Sequence, residues 1–301
     1  MDVAVGTEIG IWQRRNGESY LSERLGPNLA LLGVADGFGA VGRDVAAASL
    51  ALGWLRDYVR RRQRAVSVAR GGTANDLRAL ALGAMEYANA RLYEQSGSHE
   101  DFVSGGASLT VVLIAGHRAV VAHAGDARAY LMRLGRLEAL TPDDAVFADV
   151  LTGAKTSGPV RPSRSLLWRS LGTQPKAEAS VAHLELLAGD QLLLCTAGVY
   201  RCVDHEEIAD ALSLGESAGD TVARLMNARK TRGGLENGTA VVGRDLLAHA
   251  HSAAEAPRGD GRARSLVALV MLCCAAVLLA YFVYREGELP PVTEILSGDH
   301  R

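Results

Sequence analysis

The chain has 301 residues, of which 48% are hydrophobic and only 8 are proline. This composition provides a core for one large domain or two small ones and argues against a chain that is disordered throughout. The formal net charge of −2 at pH 7 is close to balance and offers no basic surface for DNA or RNA, so we expect no nucleic-acid partner.

The first third of the chain combines one strand with two helices. Residues 28–35, NLALLGVA, form a short apolar run that Asp36-Gly37 ends, which is typical of a buried strand followed by a tight loop. Apolar residues then recur at helical spacing over residues 43–64 and again over residues 75–93. We therefore predict two consecutive amphipathic helices after the first strand.

After Gly105-Gly106 the pattern changes to short β-rich runs: SLTVVLIAG, HRAVVAHAG, ARAYLMRLG and RLEALT. Glycines at hairpin spacing predict antiparallel strands here, not alternating strands and helices. Residues 189–196 and 239–242 add two strands, and residues 205–212 and 219–229 add two helices. The predicted fold class is α+β, with helices packed outside the sheets.

A long apolar segment lies near the C-terminus. Residues 266–284, LVALVMLCCAAVLLAYFVY, carry no charge, and as a helix they span roughly 28 Å, close to the hydrocarbon thickness of a bilayer. The alternative is a buried core helix, but core helices normally show a polar face and this segment has none. We therefore predict one transmembrane helix.

The charges that flank the apolar segment predict its orientation. Arg258, Arg262 and Arg264 precede it, whereas Arg285 is followed closely by two glutamates. The positive-inside rule places the more basic side in the cytoplasm. We therefore expect a single-pass membrane protein with its large head in the cytoplasm.

These features divide the chain into four parts. The head covers residues 1–246, and the transmembrane helix covers residues 265–284. Between them, residues 247–264 are rich in Ala, Gly, His and Arg and are predicted to form a flexible linker. Residues 285–301 form a short tail.

Four motifs follow one another along the head: VADGFG, then GGASLTVVLIAGHRAVVAHAGDARAYLMRLGRLEALTPDD, then LGTQPKAEASVAHLELLAGDQLLLCTAGVYRCVDHEEIADAL, then GGLENGTAVVG. Together they resemble the metal-dependent protein serine/threonine phosphatases of the PP2C (PPM) family. The resemblance runs from about Gly6 to Gly243 and includes the family's DG-x-G loop, its G-D-[SA]-R-[AV]-Y strand and its L-T-x-D stretch. It implies a four-layer sandwich, in which helices flank two antiparallel β-sheets.

The resemblance also implies a site for two Mn²⁺ or Mg²⁺ ions, which are hard cations that prefer oxygen ligands. In this family, a water between the ions becomes a hydroxide that attacks phosphorus in line. By resemblance, Asp36 bridges both ions and Gly37 offers its carbonyl oxygen. Asp126 matches an aspartate near an additional, weaker metal position; alternatively, it is a strand-end aspartate that bonds its own backbone.

Three departures from the family pattern fall on this cluster. The usual Arg-x-x-Asn-Glu-Asp is QRRNGE here, so Glu18 stands in for the aspartate, and the phosphate-binding arginine is either Arg14 or Arg15. The Ser-Asp-Gly motif has become Thr-Ala-Gly, in which Ala197 cannot bind a metal. The Asp-Asn pair has become Glu-Asn, in which Glu236 keeps the charge on a longer side chain. The resemblance therefore supports the fold more strongly than the activity.

Two functions follow from the resemblance. The first is a membrane-anchored phosphatase that removes phosphate from serine or threonine on cytoplasmic proteins and opposes a Ser/Thr kinase. The second is a catalytically silent relative, a scaffold that binds phosphoproteins or a kinase. An unrelated structural head would leave the ordered motifs unexplained.

Overall fold

The protein is described here from a computed structural model. The structure describes residues 1–26, 29–39, 43–63, 73–96, 105–147, 165–167, 169–176 and 178–247. These residues all lie within one compact unit, Met1–Ala253.

The described ranges contain strands and helices in an order typical of an α+β fold. In chain order they are β1 (Asp2–Glu8), β2 (Glu18–Gly26), β3 (Leu29–Phe38), α1 (Arg43–Arg62), α2 (Ala74–Ser96), β4 (Gly106–Ala115), β5 (Arg118–Ala124), β6 (Arg128–Arg133), β7 (Arg136–Ala139), β8 (Ala145–Phe147), β9 (Ser165–Leu167), β10 (Ser180–Glu185), β11 (Gln191–Cys195), α3 (Ala197–Tyr200), α4 (His205–Leu214), α5 (Ala218–Thr231) and β12 (Gly238–Arg244).

The strands form two five-stranded sheets, and every described pair is antiparallel. Sheet one has the order β1-β12-β11-β6-β7, and sheet two has the order β10-β5-β4-β3-β2. Strands β8 and β9 form a separate two-stranded ribbon. This topology confirms the predicted antiparallel sheets.

Each sheet packs against a core on both of its faces, because successive residues of a strand face opposite sides of a sheet. On β3, Leu29 and Leu31 pack in a core shared with α1 and α2, whereas Leu32 and Val34 pack in a core shared with sheet one. On sheet one, Leu193 packs in a third core with residues of α4 and α5. Helices therefore cover both outer faces, and the predicted four-layer sandwich is confirmed.

The structure corrects one predicted boundary. Strand β3 was expected to end in a loop at Asp36-Gly37, but it continues to Phe38, with Asp36 opposite Ser108 and Gly37 opposite Ala107 of β4. Ladder pairing with two neighbouring strands holds these residues extended. Asp36 therefore lies on a sheet and not in a flexible turn.

Among the described residues, no helix is both long and apolar enough to cross a membrane. The predicted transmembrane segment, residues 265–284, lies outside the described residues, as do the tail and nearly all of the linker. The membrane helix therefore stays a prediction from the sequence.

Candidate metal centre

Acidic residues gather where the layer between the two sheets ends. Leu32 and Val34 of β3 face this layer, and the same alternation places Asp36 on the same face, two residues further on. Glu18 of β2 lies directly opposite Asp36 in the antiparallel ladder. Side chains of opposed residues share one face, with their Cβ atoms about 5 Å apart. We call these two residues the Glu18–Asp36 pair.

Glu18 is held from the other sheet by a threonine. The hydroxyl of Thr239, on β12, donates a hydrogen bond of 2.6 Å to Oε2 of Glu18. The backbone N–H of Thr239 donates to the hydroxyl of Thr196, 2.9 Å away. The hydrogen bond from Thr239 to Glu18 joins the two sheets at the acidic end of the layer and fixes the direction of the Glu18 carboxyl group.

Asp126 reaches the same place from the turn between β5 and β6. Ser108, which faces Asp36 across the ladder, accepts hydrogen bonds of 2.9 Å from the backbone N–H groups of Asp126 and Ala127. Gly125 permits this approach, because its φ is +121° and a Cβ there would lie 2.3 Å from the Ser108 hydroxyl oxygen. The turn therefore brings Asp126 next to the Glu18–Asp36 pair.

The pKa values of Glu18 and Asp36 reflect burial and nearby negative charges. Burial is the main cause that raises the pKa of Glu18 to about 7. The pKa of Asp36 is raised well above its usual range, first by burial and then by the negative charges of Glu18, Asp126 and Glu236. The other three sequence-predicted carboxylates therefore lie close enough to Asp36 to raise its pKa.

One arginine lies within this acidic cluster. Nη2 of Arg201 is 3.2 Å from Oδ2 of Asp126, and its Nη1 is 3.1 Å from Oε2 and 3.4 Å from Oε1 of Glu236. We call this arrangement the Arg201 bridge. It connects two of the predicted metal-binding carboxylates through a cation that belongs to the chain itself.

The short helix α3 sets the position of Arg201, which directly follows it. The hydroxyl of Tyr200, the last residue of α3, donates a 2.9 Å hydrogen bond to the backbone oxygen of Asp126. The guanidinium of Arg128 stacks on the Tyr200 ring, 3.6 Å from its centroid, and binds Asp143 through two hydrogen bonds of 2.8 and 2.7 Å. These contacts keep the Asp126 turn and Arg201 side by side.

A buried arginine on α5 holds the loop that carries Glu236. Nε of Arg229 donates a 3.1 Å hydrogen bond to the carbonyl oxygen of Gly198, and its Nη2 donates to the carbonyl oxygen of Glu236. Gly198 must lack a side chain, since a Cβ there would lie 1.7 Å from the carbonyl oxygen of Asn237. Close packing explains why this glycine is retained in the altered Thr-Ala-Gly motif.

The two candidate phosphate-binding arginines lie on the loop between β1 and β2. Both Arg14 and Arg15 are exposed. Asn237 fixes this loop, because its Oδ1 accepts from the backbone N–H of Gly10 at 3.0 Å and its Nδ2 donates to the backbone oxygen of Arg15 at 3.2 Å. In the part of the chain that the structure describes, no ion pair joins either arginine side chain to the carboxylates. Their role stays a prediction.

The donor groups suit one divalent ion better than two. No group of three or more His, Cys, Asp or Glu side chains in the described ranges is arranged to hold a metal ion. Mg²⁺ often needs only one or two carboxylates, with waters as its other ligands, so the Glu18–Asp36 pair meets that requirement. The remaining carboxylates are engaged with Arg201, and Ala197 is buried at the start of α3 without a side-chain oxygen. The carbonyl of Gly37 stays a predicted ligand.

Sequence reasoning missed Thr239, Arg201 and Arg229. Their only signal was position, since Arg201 closely follows the motif in which alanine replaces aspartate, and Thr239 closely follows Glu236-Asn237. A cationic residue that appears near a lost carboxylate indicates a local change of charge balance. The sequence does not show where such a guanidinium points.

A family model described as Protein phosphatase 2C matches residues 20–237. The chain belongs to the protein phosphatase 2C family. The resemblance predicted from the motifs is thereby confirmed.

Named relatives and a solved structure agree with this assignment. The serine/threonine protein phosphatase PstP of Mycobacterium tuberculosis is 35% identical over 171 residues, which are 56% of this chain but only 33% of PstP. Protein phosphatase PhpP of Streptococcus pneumoniae is 24% identical over 253 residues, covering 80% of this chain and 96% of PhpP. The crystal structure of the PstP catalytic domain in complex with 2 manganese ions has a TM-score of 0.63 and 28% identity, covering 80% of this chain and 96% of that one.

Proposed function

We propose that this protein is a membrane-anchored phosphatase that hydrolyses phosphoserine and phosphothreonine on cytoplasmic proteins. The observation that carries the proposal is the convergence of Glu18, Asp36, Asp126 and Glu236 at one end of the layer between the sheets. These residues lie far apart in the sequence, and an apolar core alone gives no reason to collect four carboxylates. Carboxylate oxygens are the ligands that a hard divalent cation prefers, and three of these four residues are half-buried while Asp126 is buried.

The Glu18–Asp36 pair would hold a Mn²⁺ or Mg²⁺ ion. When bound, such an ion supplies a water of lowered pKa that serves as nucleophile at neutral pH. Asp36 presents its carboxylate from a paired strand, so its position is fixed before a substrate arrives. Thr239 fixes the direction of Glu18. The exposed Arg14 and Arg15 have guanidinium groups suited to a substrate phosphate, which arginine binds through paired hydrogen bonds.

The test is a metal titration of turnover. The purified full chain is incubated with a phosphothreonine peptide at increasing Mn²⁺ concentrations, beside Asp36→Asn. Turnover that depends on Mn²⁺ and disappears in Asp36→Asn supports the phosphatase. A response that stays at background at every Mn²⁺ concentration contradicts it.

A second candidate function is a scaffold that binds phosphoproteins, or a Ser/Thr kinase, without turnover. Two observations favour it: Arg201 engages two of the four carboxylates, and Ala197 contributes no ligand. The same titration separates the two functions. Phosphopeptide binding measured by fluorescence anisotropy, without release of phosphate at any Mn²⁺ concentration, supports the scaffold.

The membrane anchor is proposed from the sequence of residues 265–284 alone. The supporting features are its charge-free apolar composition and the three arginines before it. We expect the full chain to remain in the membrane pellet after a carbonate wash, whereas a chain that ends at residue 247 should appear in the supernatant. Recovery of the full chain in the supernatant contradicts the anchor.

The orientation needs its own test. A cytoplasmic head predicts that protease added to right-side-out vesicles leaves the head intact. Digestion of the head under the same conditions contradicts the cytoplasmic location. A protease-sensitive epitope placed after Arg301 serves as the control for the opposite side.

A further inference from the structure

The Arg201 bridge places a positive charge between two residues that the family resemblance aligns with metal positions. Arg201 contacts Asp126 at 3.2 Å and Glu236 at 3.1 Å, and the three side chains are mostly shielded from solvent, with 21%, 7% and 26% of each exposed. One guanidinium thus faces both carboxylates at once. Arginine is suited to this role because its planar group offers several N–H donors in fixed directions.

A divalent ion and this guanidinium compete for the same oxygen atoms. Metal–oxygen bonds of Mg²⁺ and Ca²⁺ are about 2.0–2.6 Å long, so an ion bound to both Asp126 and Glu236 needs the space where the guanidinium lies. Two cations a few ångströms apart also repel each other. Arginine does not relieve this conflict by losing its proton at physiological pH.

Neighbouring contacts hold the backbone at both ends of the Arg201 bridge. The Tyr200 hydroxyl donates a 2.9 Å hydrogen bond to the backbone oxygen of Asp126, and the Arg128 guanidinium lies over the Tyr200 ring. Nη2 of Arg229 donates to the carbonyl oxygen of Glu236. The backbone positions of Asp126 and Glu236 are therefore set by residues other than Arg201.

We propose that Arg201 is a built-in cation that takes the place of one divalent ion in this cluster. The proposal deepens the proposed function and rests on the same carboxylate cluster, but it concerns the number of bound ions and not the reaction. It predicts that the chain binds one divalent ion fewer than its four carboxylates would otherwise allow. Removing the guanidinium should restore that ion.

The experiment counts bound Mn²⁺. The full chain, stripped with a chelator, is titrated with Mn²⁺ by calorimetry, and free Mn²⁺ is followed by its electron paramagnetic resonance signal. Arg201→Ala is expected to bind one Mn²⁺ more per chain than the unsubstituted protein. Arg201→Met, which keeps an apolar stem, repeats the test if Arg201→Ala does not fold.

The matched control is Arg133→Ala. Arg133 also forms a two-contact ion pair, with Asp190 at 2.8 and 2.6 Å, but at the other end of β6. Its replacement removes the same charge and should leave the number of bound ions unchanged. An increase in the control as well means that net charge governs the count, and this overturns the proposal.

Thermal unfolding provides a second measurement. Without metal, Arg201→Ala should unfold at a lower temperature than the unsubstituted protein, because Asp126 and Glu236 lose their counter-ion. Added Mn²⁺ should raise its Tm by more than it raises that of the unsubstituted protein. An arginine with a purely structural role would not give a larger response to the metal.

The outcomes separate this proposal from the phosphatase proposal. An equal number of ions in the unsubstituted protein and in both Arg201 variants overturns the role of Arg201, whether or not the protein is active. One additional ion in an Arg201 variant, together with no phosphate release by the unsubstituted protein, supports the role of Arg201 and favours the scaffold.

Discussion

The two halves of the carboxylate cluster balance their negative charge differently. In the Arg201 bridge, the chain supplies a guanidinium to both Asp126 and Glu236. In the Glu18–Asp36 pair, Glu18 receives a hydrogen bond from the neutral Thr239 hydroxyl, and burial raises the pKa of both carboxyl groups. The charges of Arg229 and Arg201 lower the pKa values of Glu18 and Asp36 respectively, but burial outweighs them, and neither arginine forms an ion pair with these two carboxyl groups among the described residues. We therefore expect an external cation to stabilise the Glu18–Asp36 pair more than the bridge.

The largest expected effect comes from removing a charge of the Glu18–Asp36 pair. Asp36→Asn should reduce phosphothreonine turnover about 100-fold or more, because a metal ligand worth several kcal/mol of transition-state stabilisation is lost. Single-turnover assays at saturating Mn²⁺ measure this. Asp57→Asn, on the surface of α1 beside Arg56, is the control and should retain full activity. Turnover of Asp36→Asn within tenfold of the unsubstituted protein would refute the assignment.

The next largest effect is expected when the Arg201 bridge is converted into a set of metal ligands. Adding Ala197→Asp to Arg201→Ala should tighten Mn²⁺ binding about tenfold relative to Arg201→Ala alone, since one more carboxylate contributes about 1.4 kcal/mol. Calorimetry measures the affinity. Ala197→Asn in the same background has a similar shape without the charge and should give no gain. Equal affinities for the Asp and Asn variants would show that position 197 does not face the ion.

A smaller effect is expected from the neutral partner of Glu18. Thr239→Val should lower the free energy of unfolding by about 1 kcal/mol, because the buried carboxyl group loses a hydrogen bond. Urea unfolding of the metal-free protein measures the change. Thr231→Val removes an exposed hydroxyl that bonds the backbone of Ala228 and should be nearly neutral. Identical losses in the two variants would mean that the Thr239 contact contributes nothing specific.

The fourth expected effect is a difference between two pH profiles. The pKa of Glu18 rises from its ordinary value of 4.5 to about 7 on folding, mainly through burial, so between these values the folded state binds a proton that the unfolded state has released. The resulting stability is present below pH 4.5 and is lost as pH rises through about 7.

Glu18→Gln should flatten this part of the profile. Differential scanning calorimetry of Glu18→Gln and the unsubstituted protein, both in chelator over this pH range, measures the difference. The pKa of Asp36 is also raised, so Asp36 contributes in the same direction in both proteins. A Glu18→Gln profile that falls as steeply as that of the unsubstituted protein over this range would contradict the assignment.

Sequence reasoning recognised the interior strands of both sheets and missed three of the four edge strands, β7 being the exception. Strands β4 and β5 have neighbours on both sides and are almost wholly buried, so their apolar runs were recognised. Strands β1, β2 and β10 were not predicted. Each is an edge strand with many half-buried or exposed positions, and polar residues at such positions weaken the hydrophobic pattern.

The candidate site shows the same limit more sharply. The resemblance aligned Glu18, Asp36, Asp126 and Glu236 with metal positions, and the structure gathers all four. In the structure, Thr239 donates a hydrogen bond to Glu18, and Arg201 contacts both Asp126 and Glu236. No pattern in the sequence predicted those partners.

The α+β layering, the four longer helices and the identity of the acidic residues can be read from the sequence, because hydrophobic periodicity and motif order are local properties of the chain. Which charges meet depends on the tertiary structure. Arg201 reaches Asp126 across 75 residues of sequence, and that contact exists only because two packed sheets and α3 bring a turn and a helix end together. Packing, not spacing along the chain, therefore determines which carboxylates remain available to a metal ion.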